Sequence, residues 1–151
     1  MQMEAEITND DWVRIRDGDP RLREIYNRHY SARKYKDGRR PKKCVGPGEY
    51  MALITPNNDA IFIWRKFISM DLIYGDGINC AVFRNEGHLL SSELIKQAMN
   101  RARSRWPRER LYTYINNEKI KSTNPGYCFI KAGWKKVGKT KGGLIVLEFL
   151  L

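Results

Sequence analysis

Two apolar runs, Tyr50–Thr55 and Ala60–Phe67, are separated by only four residues, Pro56-Asn57-Asn58-Asp59. Runs of this length, rich in β-branched and aromatic side chains, read as strands, and a Pro-Asn-Asn-Asp joint turns the chain back on itself. The chain therefore holds a β-hairpin, and the other segments have to complete its sheet. Asp71–Gly77 reads as a turn and Ile78–Phe83 as a further strand. Leu111–Asn116 alternates in strand fashion. Lys135–Thr140 and Leu144–Leu150 read as a last hairpin, turned by Lys141-Gly142-Gly143.

Helices are announced between these strands. Asp19-Pro20 is a capping residue followed by proline at the first helical position, and Leu22, Ile25, Tyr26 and His29 then recur at i, i+3, i+4 and i+7. A shorter helical turn is expected around Trp12, Val13 and Ile15. Ser91 or Ser92 is expected to cap a helix carrying Leu94, Ile95, Ala98, Met99 and Ala102 on one side and ending before Pro107. In STNPGYCFIKAGW, residues 122–134, Asn124 is expected to cap, Pro125 to take the first helical position and Gly133 to end the helix. The resulting order is a mixed α/β sheet with helices on its faces, in a chain of one domain's size.

The formal charge is +11, which calls for a polyanionic partner or an anionic cofactor. Eight basic residues stand between Arg28 and Lys43 against one acid, Asp37. Rich also in Gly and Pro, this stretch reads as a long exposed loop of the functional kind. Arg28, Arg33, Lys34, Arg39, Arg40, Lys42 and Lys43 are its candidate nucleic-acid contacts. Five further lysines fall between Lys131 and Lys141. Cys44, Cys80 and Cys128 are odd in number and far apart, which argues against a disulfide framework and a zinc ribbon. An acidic start without an apolar run is not that of a signal peptide, and no stretch has the length of a membrane span. The expected location is the cytoplasm, the host cell's if the chain is phage-encoded.

Three groups of residues can carry chemistry. FRNEGHLLSSEL, residues 83–94, joins a strand to a helix, and such a junction offers backbone N–H groups and a glycine to a phosphate. Read plainly, it is a loop and an N-cap. His29, in the sequence His29-Tyr30-Ser31, suits acid–base work near neutral pH or metal ligation. A histidine on an apolar helix face is also an ordinary core residue; the basic run after it favours chemistry. Asp71, Asp76, Glu86 and Glu118 fall at turns or strand ends, without a spacing diagnostic of a metal. Trp64, Tyr112, Tyr114, Tyr127 and Trp134 are expected in the core rather than as base-stacking platforms, with Tyr112 and Tyr114 on one strand face.

Two matching stretches resemble the GNAT acyltransferases. In that family Arg or Gln, two residues, Gly, one residue and then Gly or Ala follow the fourth strand and grip the CoA pyrophosphate. Arg84-Asn85-Glu86-Gly87-His88-Leu89 matches the arginine and the first glycine, with Leu89 where a small residue is expected. Lys131-Ala132-Gly133-Trp134 matches the Lys-x-Gly-aromatic ending of the family's later helix, before its sixth strand. Phe129 stands where many members have a thiolate-protonating tyrosine, and Tyr127 lies two residues earlier.

From about residue 20 onward, HYS with its basic loop, FRNEG, YTYI and STNPGYCF-KAGW together resemble the phage Mom-type DNA modification proteins. The resemblance implies a single GNAT-like domain over residues 1–151, with the basic loop 28–49 inside it. It implies an enzyme that adds a small acyl-derived group to the exocyclic amine of adenine in double- or single-stranded DNA, protecting it from restriction. His29, Tyr30, Ser31, Asn85, Glu86 and Tyr127 would then be catalytic. Arg84, Gly87, Ser91, Ser92, Ser122 and Asn124 would hold the donor, acetyl-CoA or a related acyl carrier, and an iron is implied at the active centre. The alternatives are an acyl-CoA-dependent N-acetyltransferase acting on a protein or small amine, and a non-catalytic DNA-binding module.

Overall fold

A computed structural model describes residues 10–29, 32, 36–39, 41–116, 118 and 126–150. Seven strands form one sheet: β1 (Val13–Ile15), β2 (Glu49–Ile54), β3 (Ala60–Lys66), β4 (Ile78–Asn85), β5 (Leu111–Ile115), β6 (Lys135–Lys139) and β7 (Ile145–Phe149). Among the described residues three helices interrupt them: α1 (Pro20–Tyr26), α2 (Ser91–Arg105) and α3 (Tyr127–Lys131). The strands lie in the order β1-β2-β3-β4-β5-β7-β6. Among the described residues every neighbouring pair is antiparallel except β4 and β5.

Both faces of the sheet are covered, because the central strands are apolar on both sides. Phe62 and Trp64 of β3 point to the α2 face, where they meet Leu94, Ile95, Ala98, Met99 and Ala102. Ile61 and Ile63 point the other way, onto Leu22, Ile25 and Tyr26 of α1. The period-two alternation of β3 thus divides the protein into two cores. All four tryptophans, Trp12, Trp64, Trp106 and Trp134, are buried on the α2 side. Trp64 stacks near Trp134 with ring centres 6.2 Å apart, and Trp134 Nε1 approaches the Met99 sulfur at 3.1 Å.

Several expectations hold closely. The hairpin joins β2 to β3 in register from Glu49↔Lys66 to Ile54↔Ile61. The Asp19 carboxylate accepts the Arg21 N–H at 2.9 Å at the start of α1, with Pro20 as its first residue. Three expectations need correction. The turn expected around Trp12, Val13 and Ile15 is not helical: Val13–Ile15 is β1, paired with Ile54–Ala52. The open edge of β2 gives these residues partners that a single helical turn could not, and Trp12 Nε1 anchors the entry by donating to the Leu94 carbonyl at 2.9 Å. Neither Ser91 nor Ser92 caps α2; its N-cap is Leu90, with no side-chain hydrogen bond to the terminus. The third helix begins only at Tyr127, behind Gly126 at φ +79°, and Asn124 and Pro125 lie outside the described residues. A side chain at Gly126 would meet Leu147 Cδ1 at 2.7 Å, so the left-handed entry is set by packing on β7.

The end of the basic loop is less exposed than expected. Cys44 is buried, and the Asp17 carboxylate accepts the N–H groups of Cys44 and Val45 at 2.6 and 3.2 Å. Tyr112 is fully buried and Tyr114 partly so, whereas Tyr127 is 52% exposed rather than in the core. Between β3 and β4 the chain presents Ile68, Met70, Leu72 and Ile73 to solvent. That loop is held from beneath. Tyr114 donates its hydroxyl to the Asp71 carboxylate at 2.7 Å, and Arg110 Nη1 donates to the carbonyls of Tyr74 and Asp76.

Candidate functional site

The parallel pair is where the sheet opens. β4 pairs with β5 only from Ile78↔Leu111 to Cys80↔Thr113, yet β4 runs on to Asn85. Its pairing with β3 jumps from Ile63↔Val82 to Trp64↔Cys80, leaving Ala81 opposite no residue. Such a bulge bends its strand and increases the local twist, which turns the second half of β4 away from β5. Thr113 Oγ1 donates to the Cys80 carbonyl at 2.9 Å at the point of parting. A cleft at the carboxyl ends of parallel strands is where sheets of this kind bind ligands.

The chain leaving β4 forms a rim beside this parting. Glu86 N donates to the Asp59 carbonyl at 2.7 Å, which ties the rim to the β2–β3 turn. The Asn85 side chain braces it further. Its Nδ2 donates to the Leu89 carbonyl at 2.7 Å and to Ser91 Oγ at 2.9 Å, and its Oδ1 accepts Gly87 N–H at 3.0 Å. Gly87 is required sterically, because a Cβ there would lie 2.5 Å from Asp59 Cγ. The Asp59 carboxylate is itself fixed by the Thr55 hydroxyl at 2.6 Å. Beyond the rim, α2 starts without a side-chain cap, so the partial positive charge of its N-terminus has no side-chain partner.

On the α1 side of β4 stands a charged cluster. The Glu86 carboxylate accepts from Arg28 Nε and Nη2 at 2.7 and 2.6 Å and from Arg84 Nε at 2.7 Å. Arg28 and Arg84 hold its pKa down at about 2, so it is an anion throughout the physiological range. His29, partly buried beside them, is pushed down from 6.5 to about 4 by burial and by the Arg84 charge. Its imidazole is therefore neutral at physiological pH and can accept a proton.

The structure thus gathers Arg28, His29, Arg84 and Glu86 into one cluster, and Asn85, Gly87 and Ser91 into another across the strand. Asn85 and Glu86, expected to be catalytic, act as a brace and as an ion-pair centre. Ser92 is buried beneath α2, and the exposed Tyr127 ring lies 5.8 Å from Lys131 Nζ. Arg39 is engaged by Asp37 at 2.6 Å, and Lys42 and Lys43 are exposed. Tyr30, Ser31, Arg33, Lys34, Arg40, Ser122 and Asn124 lie outside the described residues. Asp59 and Thr55, which seat the rim, were missed because a Pro-Asn-Asn-Asp turn explains its own acid as turn chemistry.

For the anionic part of an acyl donor the rim fits: a glycine turn, an uncapped helix start and the Ser91 hydroxyl lie together. For an iron the surroundings do not fit. Among the described residues no group of three His, Cys, Asp or Glu stands close enough to hold a metal ion. His29 has a guanidinium for a neighbour, and two guanidiniums already engage Glu86. No helix among the described residues is long and apolar enough to cross a membrane. No protein-family model matches the chain, and no curated protein matches it.

Proposed function

We propose that the chain is a GNAT-like group transferase of the Mom type, adding a small acyl-derived group to the exocyclic amine of adenine in DNA. The observation that carries this reading is the parting of β4 from β5 beside the braced, uncapped start of α2. Supporting it, the Arg84–Gly87 motif spans the end of β4 and the turn after it, and Lys131-Ala132-Gly133-Trp134 leads directly into β6. The net charge of +11 favours a nucleic acid as acceptor over a small amine.

In this reading the backbone from Gly87 to Ser92 and the Ser91 hydroxyl would hold the anionic part of the donor, which would supply an acyl thioester. Its acyl–sulfur bond breaks as the amine nitrogen bonds to the acyl carbon, the thiol departing with the carrier after taking a proton from water. His29 is the candidate acceptor of the amine proton: it is uncharged at physiological pH, its lowered pKa makes it a weaker base than an ordinary histidine, and it stands on the α1 side of β4. Burial and the Arg84 charge keep that imidazole uncharged. Phe129, in the place of the family's tyrosine, is buried with its ring 6.0 Å from Phe83 and offers no proton there. To reach an amine inside a duplex the base must leave the stack, or the substrate must be single-stranded.

Nucleoside mass spectrometry on DNA from cells expressing the protein tests the reading. A heavier deoxyadenosine species, absent with His29→Ala made at the same soluble level, is the expected result. Unmodified DNA from cells holding abundant folded protein refutes it.

A further inference from the structure

At the other end of the sheet from the β4–β5 cleft lies a second concavity that the proposed chemistry does not use. Arg14, Ile15 and Arg16 of the β1 segment, Gly48, Glu49 and Tyr50, and Arg105 from the last turn of α2 enclose a cleft of about 580 Å³. A smaller lobe of about 150 Å³, between Met51, Arg101 and Ser104, shares Arg14 and Arg105 with it. The two lobes form one groove along the edge of the sheet.

Its charge is lopsided. Glu49 is the one carboxylate in the lining, and Arg105 Nη2 engages it at 3.4 Å. Arg14 and Arg16 are exposed and, among the described residues, have no ion-pair partner. They are two apart on an extended segment, so they project on the same side, about 7 Å apart at the backbone. That spacing suits two neighbouring phosphates on one strand. Guanidinium forks match phosphate oxygens in shape as well as in charge. Arg105 offsets the partial negative charge of the α2 carbonyl end. The Tyr50 hydroxyl accepts the Asp17 N–H at 3.0 Å and keeps its own hydrogen to donate.

We propose that this groove is a phosphate-backbone site, where Arg14, Arg16 and Arg105 grip a nucleic-acid strand some distance from the modified base. The choice of nucleic acid as the polyanion rests on the function proposed above. The groove and the β4–β5 parting are offset by roughly 17 Å along β2 and roughly 14 Å across the strands, about 22 Å in all or six to seven base-pair steps. One duplex can therefore engage both, and the groove fixes its register while the cleft works on a base.

The test is fluorescence anisotropy of a labelled 20-base-pair duplex, titrated between 50 and 200 mM salt, with the full chain and the double variant Arg14→Ala/Arg16→Ala. Removing two phosphate contacts is expected to weaken binding and make the slope of log K against log salt shallower by about 1.8. The charge-reversed pair Arg14→Glu/Arg16→Glu, folded by circular dichroism, is expected to bind more weakly still. Wild-type affinity and slope in both variants overturn the groove assignment, even where adenine modification is retained. A shallower slope with no modified nucleoside in cells supports the groove and refutes the catalytic reading. Failure of the wild-type protein to bind the duplex at 50 mM salt overturns the groove assignment.

Discussion

Acid should weaken this protein through one side chain, His29. Its imidazole is held at about 4 in the folded protein against an ordinary 6.5. Between those values the unfolded chain carries a proton that the folded one lacks. Stability therefore rises with pH through that window and is level above it. Between about pH 7.5 and pH 5 the linkage amounts to about 2 kcal/mol, and the full displacement to roughly 3.4 kcal/mol. Glu86 is shifted downward and loses its contribution as pH falls toward 2, so between pH 5 and 7.5 it accounts for at most about 0.2 kcal/mol before solvent screening. The assay is urea unfolding followed by far-UV circular dichroism at the two pH values, for the wild type and His29→Gln. Glutamine does not titrate, so the variant's own cost is the same at both. The wild-type stability should fall by about 2 kcal/mol more than the variant's on moving to pH 5. An equal fall in the two proteins would show that the imidazole titrates as it does in water, and the buried, cation-flanked site described for it would be wrong.

Gly87→Ala drives a methyl group into the Asp59 carboxylate, which Thr55 holds in place, and should cost about 1–3 kcal/mol in urea unfolding. The same change made on an Asp59→Ala background should cost measurably less; an equal cost there refutes the steric account. Tyr114→Phe removes the 2.7 Å hydrogen bond to Asp71, whose carboxylate also accepts the Ile73 and Tyr74 N–H groups at 3.1 Å. A loss of about 1–2 kcal/mol is expected, with faster thermolysin cleavage between Ile68 and Ile73; unchanged cleavage counts against Tyr114 as the loop's support.

What the sequence made legible was local in origin. The β2–β3 hairpin declared itself by two apolar runs and a turn. Leu94, Ile95, Ala98, Met99 and Ala102 declared the inner face of α2, and all five are buried. β1 was misread because three residues cannot display a period; its identity lies in the unpaired edge of β2, about forty residues away in the chain. That error also concealed the Arg14 and Arg16 pair, since residues two apart share a side on a strand and not on a helix. Glu86 stood out as an acid at a turn or strand end and Asn85 through the resemblance, but their tasks were not readable. Arg28 reaches Glu86 across 58 positions, and Asn85 braces a loop whose shape depends on Asp59. The bulge at Ala81, which opens the cleft, leaves no local mark because alanine suits either geometry.

The gathering of all four tryptophans on the α2 side makes the protein optically one-sided. Indole emission reports on the layer formed by α2, α3 and the Trp64–Trp134 pair. The layer under α1, with its tyrosines and the His29 cluster beside it, contributes no indole. An acid-triggered loosening of α1 can therefore proceed with little change in tryptophan fluorescence while the backbone circular dichroism already moves. Coincidence of the two signals at pH 7.5 and their separation near pH 5 would show two layers melting as separate units.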